Sequence, residues 1–161
     1  MRRNTYAAGG KFVAPQMGYE EIDQRRPPDI TTDVLWMAIP YTTPELTRAA
    51  LRHAGVCSDL DVHVNLVDIQ VVPFPCPLDQ PPINKKFSEH RLVELLKEAG
   101  LPGRAALLYT RDWLEGFRQM LEPGSLVVLA TRRRWWPTRE EKLARTLTKA
   151  GHQVMLLPVV R

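Results

Sequence analysis

The chain has 161 residues, of which 44% are hydrophobic and 25% charged, proportions of a globular domain that exclude collagen-like, coiled-coil and wholly disordered readings. No apolar run approaches the roughly 18 to 20 residues of a membrane span; the greasiest, 126–130 and 154–160, have strand length. Its 22 basic and 18 acidic residues give a formal net charge of +4, which permits an anionic partner without requiring one.

The basic start, Arg2-Arg3, runs into Gly, Gln, Glu and Asp rather than an apolar segment, so no secretory signal is expected. Two cysteines, Cys57 and Cys76, are too few for a disulfide framework and suit a reducing compartment. The expected location is the cytoplasm. Residues 1–30, with Gly9-Gly10, Gly18 and Pro27-Pro28, show no sustained period and read as an irregular arm. Tyr6, Phe12, Val13, Met17, Tyr19 and Ile22 are its available anchors.

From residue 31 strand and helix patterns alternate to the C-terminus, which makes 31–161 the folded domain. The apolar run 34–39 predicts a first strand stopped by Pro40. Thr43-Pro44-Glu45 then has the chemistry of a helix start: a hydroxyl to accept an orphan amide, a proline at the first helical position and an acid in the first turn. Leu46, Ala49, Ala50, His53 and Cys57 give that first helix one apolar face.

Residues 61–72 are β-branched enough for a second strand, within which Asp68 is an acid that must be paired or lie at the strand's mouth, where it can touch a ligand's ribose or accept from the arginines at 132–134; a structural or ion-pair role is the favoured reading. Pro73, Pro75, Pro77, Pro81 and Pro82 forbid helix and predict a stiff extended crossover loop. Ser88 is read as the cap of a second helix with Leu92, Leu95, Leu96 and Ala99 inward, ended by Gly100 and Pro102. Residues 105–109 form a third strand, Asp112 caps a third helix carrying Trp113, Phe117, Met120 and Leu121, and 126–130 form a fourth strand. Helix 138–150, with Leu143 and Leu147 inward, and a fifth strand at 154–160 complete the chain.

Five strands alternating with four helices imply right-handed crossovers and a three-layer, doubly wound α/β fold with a parallel five-stranded sheet. In such sheets ligands sit beyond the carboxyl ends of strands where the winding reverses, here between the loops 40–43 and 131–137. The second loop holds Arg132, Arg133 and Arg134 followed by Trp135 and Trp136. Three guanidiniums beside a helix start can hold a phosphate or carboxylate by bidentate hydrogen bonds, with an indole to stack on a base. A solvated charged loop is the plainer reading of the same residues.

The segment 34–45, with Ala49-Ala50-Leu51 after it, resembles the opening of a universal stress protein domain, and 62–64, 126–130 and the closing 151–160 are similar to that family over about residues 32–161. The resemblance implies strand order 3-2-1-4-5, a stress-response role and a homodimer through the C-terminal strand. ATP-binding members carry an Asp after the first strand and a G-x2-G-x9-G-[ST] loop after the fourth. On this chain Tyr41 or Thr42 replaces the Asp, Ala130 and Arg133 the first two glycines, and Leu143-Ala144 the last pair. The resemblance therefore implies a degenerate ATP site in a non-catalytic regulatory or protein-interaction domain with an unknown protein partner and no cofactor. The alternative is a sensor that binds ATP, another nucleotide or a small anion through Tyr41, Thr42, Thr43, Asp68, Thr131, Arg132, Arg133 and Arg134.

Other chemistry finds no support. Ser58, Ser88 and Ser125 lack a G-x-S-x-G elbow, and His53, His63, His90 and His152 lack the spacing that puts two metal ligands on one helix face. His53 and His90 read as helix-surface or border residues, His63 and His152 as strand or strand-entry residues. Neither the nucleotidyl chemistry of the nucleotide-binding α-hydrolase superfamily nor the phosphoacceptor set of a receiver domain has its motif here. Nucleic acid is not the expected partner either: Glu140 and Glu141 interrupt the basic patch, and Arg139, Lys142 and Arg145 have the spacing of a solvated helix face.

Overall fold

The computed structural model describes residues 11–13, 34–57 and 61–160. The rest of the arm, with Tyr6, Met17, Tyr19 and Ile22, the domain's first residues 31–33, and Ser58 lie outside the described residues. Within them the chain forms β1 (Lys11–Val13), β2 (Leu35–Pro40), α1 (Pro44–Val56), β3 (Val62–Val71), α2 (Lys85–Ala99), β4 (Gly103–Thr110), α3 (Trp113–Met120), β5 (Leu126–Arg132), α4 (Arg139–Lys149) and β6 (Gln153–Val159).

The helix starts follow side-chain chemistry. Thr43 caps α1 by accepting from the Leu46 amide with Pro44 at the first position, and Asp112 caps α3 by accepting from the Glu115 amide. Thr138 and Glu141 make a reciprocal capping box on α4. The second helix differs from expectation. It begins one turn earlier, because Asn84 accepts from the Lys86 amide, and Ser88 sits fully buried in the second turn instead of capping.

β4-β3-β2-β5-β6 is a parallel run, the expected order 3-2-1-4-5 of the five predicted strands. β1 extends it by pairing antiparallel with β4, Lys11 opposite Tyr109 and Val13 opposite Leu107. The segment read as an irregular arm thus contributes an edge strand, three residues being too few to show an alternation. Pro40 closes β2 rather than standing outside it; the amide of the next residue, Tyr41, reaches the Val67 carbonyl at 2.7 Å. Arg132 likewise belongs to β5, in register with Val159, and the loop after the strand starts one residue later than the sequence suggests.

The apolar residues of the strands alternate between two cores, as the pleat requires. On one face Met37, Ile39 and Val64 pack against α1 and α2 through Leu46, Leu51, Leu92 and Leu96. On the other Val67, Ile69 and Leu129 pack against α3 and α4 through Phe117, Leu143 and Leu147. β2 lies between β3 and β5, whose crossovers leave for opposite faces, so the winding reverses at its carboxyl end.

Candidate functional site at the carboxyl ends of the central strands

Beyond Pro40 the chain turns at once into α1. Tyr41 is buried, with the guanidinium of Arg91 on α2 lying 4.2 Å above its ring centroid. Burial pushes its phenol above the ordinary value, an effect that the charge of Arg91 opposes. The Thr42 amide donates to Thr47 Oγ1 at 3.4 Å, and Thr43 is committed to its cap.

Asp68 projects from β3 into the same interior and is 4% exposed. Its Oδ2 accepts from Arg91 Nη2 and from Gln70 Nε2, each at 3.0 Å, and Gln70 Nε2 also donates to Ser88 Oγ at 2.8 Å. Desolvation by burial raises the Asp68 carboxyl above the usual carboxylate range, more than the Gln70 hydrogen bond and the Arg91 charge lower it. Asp68 is therefore an ion-pair residue held by a helix, and its partner is not the arginine loop.

At the end of β5, Thr131 is buried with its hydroxyl 2.8 Å from that of Thr138, which joins the strand end to the cap of α4. Arg132 forms an ion pair with Glu45 in the first turn of α1, tying the β5–α4 connection across the reversal point. Arg139 stacks 3.6 Å from the ring centroid of Trp113, and burial lowers the proton affinity of its guanidinium. Arg133 and Arg134 are exposed and have no partner among the described residues. Trp135 and Trp136 are 85% and 63% exposed, their rings 4.2 Å apart and inclined at 39°.

The structure thus brings the eight candidate residues to one end of the sheet but divides them. Tyr41, Thr42, Thr43, Asp68, Thr131 and Arg132 each have an internal partner; Arg133 and Arg134 face outward. Of the positions aligned with glycines, Ala130 is buried in β5, and Leu143 and Ala144 are core residues inside α4. Sequence reasoning missed Arg91, Gln70, Ser88 and Glu45 as the partners. A signal existed for Arg91: it shares the three- and four-residue spacing of Ser88, Leu92 and Leu95, so a guanidinium stands in an apolar stripe.

The histidines stay apart, His53 Nε2 lying 3.1 Å from Met155 Sδ, His63 Nε2 3.5 Å from Asp61, and His152 buried before β6. Among the described residues no cluster of His, Cys, Asp and Glu is placed to hold a metal ion, and no helix is long and apolar enough to cross a membrane.

No protein-family model and no curated protein matches the sequence. Among solved structures, the chain is similar to a universal stress protein from Archaeoglobus fulgidus, with 14% identity and a TM-score of 0.53 over 76% of this chain and 92% of that one. It is also similar to a universal stress protein from Archaeoglobus fulgidus in complex with dAMP, with 15% identity and a TM-score of 0.50 over 78% of this chain and 98% of that one. At such identities the likeness is one of architecture: the chain has the universal stress protein fold.

Proposed function

We propose that this chain is a divergent, non-catalytic member of the universal stress protein family, a regulatory domain that works by docking a partner at the carboxyl rim of its sheet. The observation that supports this reading is the pairing of polar groups at the reversal point. Asp68 is taken up by Arg91 and Gln70, Thr131 by Thr138 and Arg132 by Glu45, while the guanidiniums of Arg133 and Arg134 and the two indoles beside them stand outside. A nucleotide entering between the loops meets satisfied groups, and the β5–α4 connection offers it side chains where a phosphate cradle uses glycine backbone.

The test is a calorimetric and thermal-unfolding titration of the purified chain with ATP, ADP, AMP, cyclic dinucleotides and inorganic phosphate. A ligand present at 100 times its Kd stabilises the folded state by about 2.7 kcal/mol, and in a domain of this size that raises Tm by roughly 5 to 10 °C. The expected result is no such rise. Saturable binding of one nucleotide, abolished when Arg132, Arg133 and Arg134 are all changed to Ala, overturns the docking reading in favour of a sensor. The sensor is the second reading because one structure with this fold is a complex with dAMP.

The domain is further proposed to form a homodimer through β6. Among the described residues this strand pairs only with β5, so its other edge is open, and Met155 and Leu156 are exposed. Beside it a shallow groove lined by Ala49, Val56, Leu157 and Val159 offers apolar surface to a second copy. Light scattering on the purified chain measures that association directly.

A further inference from the structure

All five parallel strands end at one rim, and with adjacent strands roughly 5 Å apart the connections after β3 and β5 flank the short one after β2. Large apolar side chains crowd this rim. Phe74 and Ile83 stand in the connection after β3, and Trp135 and Trp136 in that after β5; Phe74 and Trp135 are 87% and 85% exposed. Exposing so much aromatic surface to water is unfavourable for an isolated domain, and adjacent exposed aromatics such as Trp135 and Trp136 mark an interaction site. The segment that carries the two indoles is basic, and of the two acids in the first turn of α4 Glu140 lies close enough to Arg139 to act on its charge. Arg133 and Arg134 have no partner among the described residues, the segment 133–137 has no acid, and Glu141 of the following helix is held in its capping box.

The geometry selects among anionic partners. The two indole rings pack on each other, so each offers at most one free face. Single-stranded nucleic acid is gripped by open aromatic platforms on which successive bases stack. Two mutually packed, exposed tryptophans instead form a wedge that fits the boundary between lipid headgroups and acyl chains, the level at which tryptophan partitions. The unpaired arginines that directly precede them in the chain match lipid phosphates, and an apolar insert joined to basic charge is the combination that sustains peripheral binding.

We infer that the segment Arg133-Arg134-Trp135-Trp136 is a peripheral docking surface for anionic phospholipid bilayers. The indoles enter the headgroup boundary and the two guanidiniums engage lipid phosphates. This rests on the docking reading of the rim and names its partner. Trp36 supplies an internal control. It stands near the start of β2, at the opposite end of the sheet, and Trp113 lies under the guanidinium of Arg139.

The experiment is co-sedimentation of the full chain with vesicles of phosphatidylcholine alone or mixed two to one with phosphatidylglycerol, paired with fluorescence quenching by brominated acyl chains. Binding is expected only to the mixed vesicles, to weaken as salt rises, and to be about thirtyfold weaker for the double variant Arg133→Ala, Arg134→Ala. Quenching is expected in the native chain and to be lost in Trp135→Phe, Trp136→Phe, whose circular dichroism melt verifies that it is folded. Absence of binding to the mixed vesicles overturns the inference, as does native-strength binding by the arginine variant or quenching that survives the tryptophan changes. Binding of a single-stranded oligothymidine with the vesicles left free also overturns it and assigns the rim to nucleic acid. The nucleotide titration separates the two levels: saturable binding there removes the docking reading itself, whereas its absence together with absent vesicle binding removes only the lipid.

Discussion

Arg91→Met is the perturbation that tests the account of the site's interior. The change keeps the aliphatic stem beside Tyr41 and deletes the charge that faces Asp68. Removing one partner of a buried ion pair costs about 3 to 5 kcal/mol because the other charge is left uncompensated. The Asp68 side chain is 5% exposed and that of Arg91 27%, so water reaches the vacated position from the helix side and the lower end applies. Loss of the stacking on Tyr41, about 1 kcal/mol, is offset by deleting a buried Nε that has no hydrogen-bond partner. The expected loss is about 3 kcal/mol, or roughly 6 to 12 °C in Tm, read from denaturant unfolding with the m value unchanged. The double variant Asp68→Asn, Arg91→Met removes both charges, leaves Gln70 an acceptor, and is expected to return to within about 1 kcal/mol of native.

The pH dependence follows from the raised Asp68 carboxyl. Between its ordinary value and the raised one, the folded chain holds a proton that the unfolded chain has lost, so stability falls as pH climbs through that window and levels off above it. Without Arg91, which lowers the carboxyl's proton affinity, the window extends higher. The deficit of Arg91→Met is therefore expected to shrink on going from about pH 7 to about pH 5, and the Asn double variant to show no such relief. A loss under about 1 kcal/mol, or one equal at both pH values, would refute the assignment of Asp68 and Arg91 as a buried charged pair.

Thr138→Ala deletes both the cap of α4 and the partner of the buried Thr131 hydroxyl, and is expected to cost about 1 to 2 kcal/mol in denaturant unfolding; Thr138→Ser, which restores the hydroxyl, is expected to recover most of it, and a neutral Ala variant contradicts the capping box. For the homodimer, light scattering is expected to give twice the chain's 18.4 kDa, and Leu156→Lys on the open strand to give the mass of one chain, since an edge lysine opposes strand pairing. A native chain that remains single at high concentration retires that interface.

The alternation of strands and helices was legible because each element carries its own periodicity and every helix carries a local cap: Thr43, Asn84, Asp112 and Thr138 act on amides within three residues. Ser88 misled because serine is a good cap by chemistry, whereas its burial follows from Gln70, a β3 residue that only tertiary packing brings to it. β1 was invisible because three residues show no alternation. The interior of the site was half legible. An acid in an apolar strand announces a need for a partner, but naming Arg91 over the arginine loop requires knowing that α2 covers that face. The run Arg132-Arg133-Arg134 looks uniform along the chain and is not: the first is sorted from the others by Glu45, 87 positions away in sequence.

That sorting explains where a partner can act. The two halves of the reversal point are closed with unequal strength. On the β3 side the Asp68 and Arg91 charges are held away from water, and opening them costs several kcal/mol. On the β5 side Arg132 and Glu45 are 41% and 70% exposed, and a pair so wetted contributes about 0 to 1 kcal/mol. An anion approaching from outside can therefore displace Glu45 cheaply, yet it gains little depth, because Thr131 and Thr138 satisfy each other beneath it. The interior resists a ligand while the rim invites one. Interaction free energy is consequently available only from groups not already engaged, and on this rim those are the outward arginines and the tryptophans beside them.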